Sequence, residues 1–193
     1  MKILQIDSSV LGHNSASRRM SAAIVARLRA EQPNATVVHR DLAAHSLPHY
    51  TPVLAEDHPC VQRNAEILDE FLSADVVVVG APMYNFTIPS QLKAWIDRIL
   101  IAGKTFSYTE NGPQGLAAGK RVIVASSRGG IYTEGPAATV DFQETYLRHV
   151  FGFVGIGDVE FIRAEGLNLG DEQRHAALRR AQDQIANGLG IAA

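Results

Sequence analysis

Three short segments carry residues that could do chemistry. Ala81-Pro82-Met83-Tyr84-Asn85-Phe86 sets Met, Tyr and Phe beside an amide side chain, directly after an apolar run that ends at Gly80. Flat apolar groups next to backbone amides suit a flat ring with polar edges, such as a flavin. Packing into the core or against another subunit is the other reading of the same loop. Ser8-Ser9-Val10-Leu11-Gly12-His13-Asn14-Ser15-Ala16-Ser17 holds four serines and leads into a helical pattern. The N–H groups at a helix N-terminus and hydroxyls from Ser9, Ser15 and Ser17 would form a cradle for a single phosphate, with Arg18 or Arg19 adding charge. Helix capping by Ser15 or Ser17 is the plainer alternative, and it uses the same geometry. Ser127-Arg128-Gly129-Gly130-Ile131-Tyr132 places adjacent glycines where backbone could approach a ligand closely and donate unshielded N–H groups. A simple glycine turn is its alternative.

Other chemistries lack their residues. There is no Walker A sequence, no G-x-G-x-x-G and no G-x-S-x-G elbow. The seven histidines are scattered, and His45 and His49 sit among prolines and turn residues, so no metal site is expected. Without a marked nucleophile or acid–base pair, the pattern fits an enzyme whose cofactor carries the reaction.

The loops must be positioned by a sheet. Strands are predicted at Lys2 to Asp7, Thr36 to Arg40, Asp75 to Gly80, Lys120 to Ser126 and Asp158 to Arg163. The third and fourth are nearly continuous in apolar residues, as strands buried on both faces should be. Helical stripes alternate with them: Val61, Ala65, Leu68 and Leu72; Leu92, Trp95, Ile96, Ile99 and Leu100; Leu178, Ala181, Ile185 and Leu189. A first helix, from about Ser17 to Ala30, turns Met20, Ile24 and Leu28 inward. Trp95 lies within a stripe and reads as core. The expected architecture is α/β, a flavodoxin-like doubly wound five-stranded parallel sheet of order 2-1-3-4-5, in one domain over residues 1–193. That order brings the loops after the first, third and fourth strands to one edge.

Composition narrows the partners. A formal net charge of −2 argues against a nucleic-acid binder and, weakly, against an electron carrier with a strongly acidic face. The single cysteine, Cys60, excludes an internal disulfide framework and reads as a buried or half-buried helical thiol. The N-terminus lacks a signal-peptide pattern, and no stretch is apolar enough to span a membrane, so a soluble cytoplasmic protein is expected.

Taken in order, Ala81 to Phe86 with Ile88-Pro89-Ser90-Gln91-Leu92-Lys93, then Phe106-Ser107-Tyr108-Thr109-Glu110-Asn111-Gly112-Pro113, then Ser127 to Gly130, resemble the FMN-dependent NADH azoreductases, also called FMN-dependent NADH:quinone oxidoreductases. The resemblance runs from the first strand to Glu165-Gly166. It implies a homodimer with one FMN per subunit and NADH or NADPH as electron donor. Phosphate and ribityl contacts would come from Ser9, Ser15, Ala16 and Ser17. The ring would meet Met83, Tyr84, Asn85 and Phe86, with the Asn85 N–H near N5, and Ser127, Arg128, Gly129 and Gly130 would line another edge. Tyr108, Tyr132 and Phe153 would shape the substrate pocket, with Tyr108 and Phe153 facing the partner's flavin. The family implies two-step reduction of quinones and reductive cleavage of aromatic azo compounds. The segment from Leu47 to Cys60 resembles a lid or insertion to which no function is carried. A flavodoxin-like electron carrier without its own turnover is the main alternative. A flavin-free docking protein and a reductase that releases reduced FMN stand behind it.

Overall fold

In a computed structural model, which describes residues 1–51 and 58–189, five parallel strands form the main sheet. They are β1 (Lys2–Asp7), β2 (Thr36–Asp41), β3 (Val76–Pro82), β6 (Arg121–Ser127) and β7 (Asp158–Ala164), in spatial order β2-β1-β3-β6-β7. Numbered within that sheet alone, this is the expected 2-1-3-4-5. A separate antiparallel hairpin pairs β4 (Phe106–Thr109) with β5 (Gly112–Gly115).

Strand alternation divides the core in two. Leu4, Ile6, Val77, Val79 and Val124 point to one face, where α2 (Pro59–Ser73), α3 (Ser90–Ile99) and α4 (Glu144–Phe153) contribute Ile67, Phe71, Leu92, Trp95, Leu147 and Phe151. Ile3, Val76, Val78, Ile123 and Ala125 point to the other, against Ile24 and Leu28 of α1 (Ala16–Glu31) and Ala181 and Ile185 of α5 (Asp171–Gly188). Residues i and i+1 of a strand face opposite sides, so Val76 to Val79 must be apolar throughout. Trp95 is fully buried, edge-on to Phe71, as its place in the stripe predicts.

The five strands and α1 fall within two residues of their expected bounds, α5 begins a full seven residues before its stripe, and there are two additions. Neither α4 nor the hairpin was predicted as an element. The hairpin backbone lies so close to the end of α4 that a Cβ on Gly115 would collide with the main chain of Val154 and Gly155. Leu47 is buried and the Pro48 carbonyl accepts from Arg98 Nη2 at 3.0 Å. Cys60 sits half-buried in the first turn of α2, and residues 52–57 of the suggested lid lie outside the described residues.

Candidate functional site

The carboxyl ends of β1, β3 and β6 adjoin in register, Asp7 opposite Gly80 and Pro82 opposite Ser127, so their three loops leave the sheet side by side. Ligands bind at this edge in open α/β sheets. The loops are also tied to one another. Ser8 donates from both N and Oγ to the Gly80 carbonyl, at 3.3 and 2.7 Å. Met83 N donates to the Ser127 carbonyl at 2.8 Å. Tyr84 Oη lies 3.2 Å from Ser9 Oγ and accepts from Val10 N at 3.3 Å. Gly80 is required here, because a Cβ would run into the buried Asp7 carboxylate.

Two adjoining cavities follow. One of about 210 Å³ is lined by Ser9, Leu11, Asn14, Ser15 and Ala16 at one end and by Met83, Ser127, Gly129 and Asn168 at the other. A second of about 450 Å³ shares Met83, Gly129 and Asn168 with the first and continues past Asn85, Phe86, Gly130 and Tyr132 to Leu169. The combined cleft runs from a helix N-terminus to a pair of aromatic rings, Phe86 and Tyr132, edge-on at 6.3 Å.

At the α1 end, Ser15 is extended (φ −74, ψ 126) and its Oγ accepts from Arg18 N at 3.2 Å, so it caps the helix while lining the cleft. Ser17 is fully buried with its Oγ 3.0 Å from Ser15 Oγ, which makes it a support behind the cradle. The charge assigned to Arg18 and Arg19 is elsewhere. Arg18 forks onto Asp41, with both nitrogens at 2.6 Å, and also donates to the Ser9 carbonyl. The Arg18 guanidinium and the N–H groups of Ala43 and Ala44 hold the Asp41 carboxyl well below the usual carboxylate range. Arg19 faces the groove between α1 and α5, beside Leu178 and Gln182. A bidentate carboxylate captures Arg18 more strongly than solvent-facing geometry would leave it free.

The Tyr84–Thr87 turn is closed by reciprocal backbone bonds of 2.9 and 3.1 Å, with Asn85 (φ 48) and Phe86 (φ 70) both in the left-handed region. A two-residue turn of this kind ordinarily uses Asn-Gly. On the facing loop, Gly129 has Asn168 stacked against it, and a Cβ there would lie 2.6 Å from Asn168 Nδ2. Arg128 belongs to the same loop, but its guanidinium is fully buried behind the cleft. It meets Asp141 (2.9 Å), Glu144 (2.5 Å) and Glu165 (3.0 Å). Glu165 in turn accepts from Tyr132 N at 2.9 Å, and Gln143 Nε2 donates to the Ala81 carbonyl at 3.0 Å. The ion cluster therefore braces two cleft loops from behind.

Tyr108 and Phe153 flank Phe106, at 5.6 and 4.7 Å between ring centres, and line neither cavity. Tyr108 is 75% exposed at the tip of the hairpin. A larger cavity of about 580 Å³ lies beyond the Tyr84–Thr87 turn, between Val10, Pro89, Lys93 and Tyr146. Burial pushes the Tyr146 hydroxyl up to about 12. Asn168 and Arg174, both on the cleft wall, were not among the residues singled out from the sequence. Among the described residues no helix is long and apolar enough to cross a membrane.

A family model described as a flavodoxin-like fold matches residues 1–189. An FMN-dependent NADH:quinone oxidoreductase of Sinorhizobium fredii is 57% identical over 97% of each chain. One from Bradyrhizobium diazoefficiens is 58% identical over 94% of this chain and 95% of its own. The crystal structure of an azoreductase from Bacillus anthracis str. Sterne superposes with a TM-score of 0.88 at 31% identity, covering 96% and 97% of the two chains. An FMN-dependent NADH-azoreductase of Bacillus anthracis str. Ames Ancestor, in complex with FMN, superposes at 0.84 with 29% identity over 96% and 98%.

Proposed function

This chain belongs to the flavodoxin-like family of FMN-dependent NADH:quinone oxidoreductases, and from that premise we propose that its cleft binds FMN and reduces quinones and aromatic azo compounds with electrons from NADH. One observation carries the assignment to this cleft: a single continuous groove joins a helix N-terminus rich in hydroxyls to a wall of Met, backbone amide and aromatic edge. That order is the order of phosphate, ribityl chain and isoalloxazine ring.

The residues present fit the group. Ser9 and Ser15 would offer hydroxyls, and Ala16 its first-turn N–H, to a phosphate. Met83, Tyr84, Asn85 and Phe86 would supply one wall for the ring, with the Asn85 N–H as the donor that would tune its N5. A Cβ at Gly129 would press on Asn168 of the cleft wall, and Ser127, Arg128, Gly129 and Gly130 would supply the opposite edge. The N–H groups of Gly129 and Gly130 would stabilise negative charge on the reduced ring. FMN, when bound, would supply two-electron chemistry between NADH and an acceptor. Phe86 and Tyr132 would hold a flat donor or acceptor against the ring and limit the access of water to it. Donor and acceptor occupy the same face, so they come one after the other in a ping-pong sequence. A quinone takes two electrons and two protons, whereas an azo bond takes four of each, over two rounds, to give two amines.

The exposed Tyr108 and the half-buried Phe153 are assigned to a second copy's cleft in a homodimer. Their Ala variants should keep FMN and change the ranking of quinones and dyes. The expected place of action is the cytoplasm.

The decisive test is the visible spectrum of FMN-reconstituted protein under anaerobic conditions. Bleaching by NADH and recovery on adding a benzoquinone are expected, and parallel double-reciprocal plots would mark the ping-pong order. A bound flavin that NADH does not bleach would point instead to an electron carrier.

A further inference from the structure

Neither arginine nearest the serine loop in sequence lines the cleft beside it: Arg18 is held by Asp41, and Arg19 lies one turn further along α1, in the groove toward α5. A phosphate monoester carries close to two negative charges at neutral pH. Ser15, Ser9 and one helix N-terminus meet it with neutral donors and a partial dipole only. The cleft nevertheless contains a cation from the other end of the chain.

That cation is Arg174. It lines the same cavity as Asn14, Ser15 and Ala16. The helices explain how it arrives there. α1 and α5 both begin at the carboxyl edge of the sheet and run side by side on one face, with Leu178 packed opposite Arg19 and Ala23. Residue 174 lies one helical turn before Leu178, and Ser15 lies one turn before Arg19, so the two first turns face each other. Arg174 Nη1 donates a single 3.3 Å bond to the Leu167 carbonyl, and among the described residues no carboxylate lies within ion-pair distance of it. The side chain is half-buried, and its other N–H groups remain available to a ligand.

The geometry points to Arg174 as the counter-charge for the FMN phosphate and as the residue that makes the cleft select the phosphorylated flavin over riboflavin. This rests on the FMN reading above. The guanidinium fork matches phosphate oxygens in pairs, which a lysine would meet only as a point charge.

The test measures FMN and riboflavin binding by flavin-fluorescence quenching, in wild type, Arg174→Gln, Arg174→Lys and the charge-matched surface control Arg179→Gln. Arg174→Gln should weaken FMN binding by about tenfold or more. It should leave riboflavin within about twofold and flatten the salt dependence of FMN binding. Arg174→Lys should recover part of the loss, and Arg179→Gln should match wild type. If wild type prefers FMN and Arg174→Gln keeps that preference, the role of Arg174 is overturned while the FMN reading stands. Equal losses for both flavins would reduce Arg174 to a structural part and overturn the selectivity. If wild type binds neither flavin, the FMN reading itself fails and takes this inference with it.

Discussion

Arg128 and Glu165 meet at 3.0 Å behind the cleft, joining the carboxyl ends of β6 and β7 through a guanidinium with no exposed surface. The pair is part of a larger cluster in which Arg128 and Arg163 face Asp141, Glu144 and Glu165. Two cations against three carboxylates leave the cluster dependent on Arg128. Arg128→Leu should therefore destabilise the fold by about 3 to 5 kcal/mol, because it strands buried carboxylates. Urea denaturation measures this directly. A loss under about 1 kcal/mol would mean that water already solvates the cluster.

A second electrostatic prediction has a defined sign. Asp41 is held below its ordinary carboxylate range chiefly by its hydrogen bonds from Arg18. A depressed folded-state pKa contributes stability that is present above the unfolded value of about 4 and disappears as pH falls through the folded value. The stability difference between wild type and Asp41→Asn should be constant near neutrality and shrink from about pH 4 downward. Unfolding curves at several pH values test it; a difference that stays constant to pH 2 would place the effect outside the Arg18–Asp41 pair.

Much of this was legible along the chain. Val76 to Val79 announces a strand covered on both faces, and the Leu92–Trp95–Ile99 spacing announces a buried helix face. α4 was not legible, because the helix is short and has Gly152 in its last turn. The hairpin strand Gly112–Gly115 has no β-branched residue, and docking on Val154 and Gly155 holds it instead. The serine loop was recognisable from composition, but its cation was not. Arg18 is nearer in sequence, whereas Arg174 becomes a neighbour only once α5 packs along α1. Sequence proximity also could not reveal that Asp41, on β2, would take Arg18 away.

The contact between Gly129 and Asn168 gives a steric prediction. Any side chain at 129 starts with a Cβ that displaces the Asn168 amide, itself part of the cleft wall, and the two methyls of Val add to that displacement. Gly129→Val should lower FMN affinity by about a hundredfold, roughly 3 kcal/mol, with a folded protein by circular dichroism. Unchanged FMN affinity in that folded variant would remove the Gly129 backbone from the binding wall.

Phe86 poses the opposite trade. At φ 70 a phenylalanine occupies backbone space that suits glycine, at a cost of about 1 to 2 kcal/mol. Its ring is half exposed, so burial returns little of that cost. Such strain persists where function selects the side chain, and here the ring stands edge-on to Tyr132 over the cleft. Phe86→Gly would create the Asn-Gly pair that this turn type prefers. It should raise stability by about 1 kcal/mol while FMN remains bound and quinone turnover falls. Denaturant midpoint and steady-state turnover together decide the matter. Lower stability would show that contact with Tyr132 outweighs the backbone strain, and unchanged turnover would take Phe86 out of the substrate face.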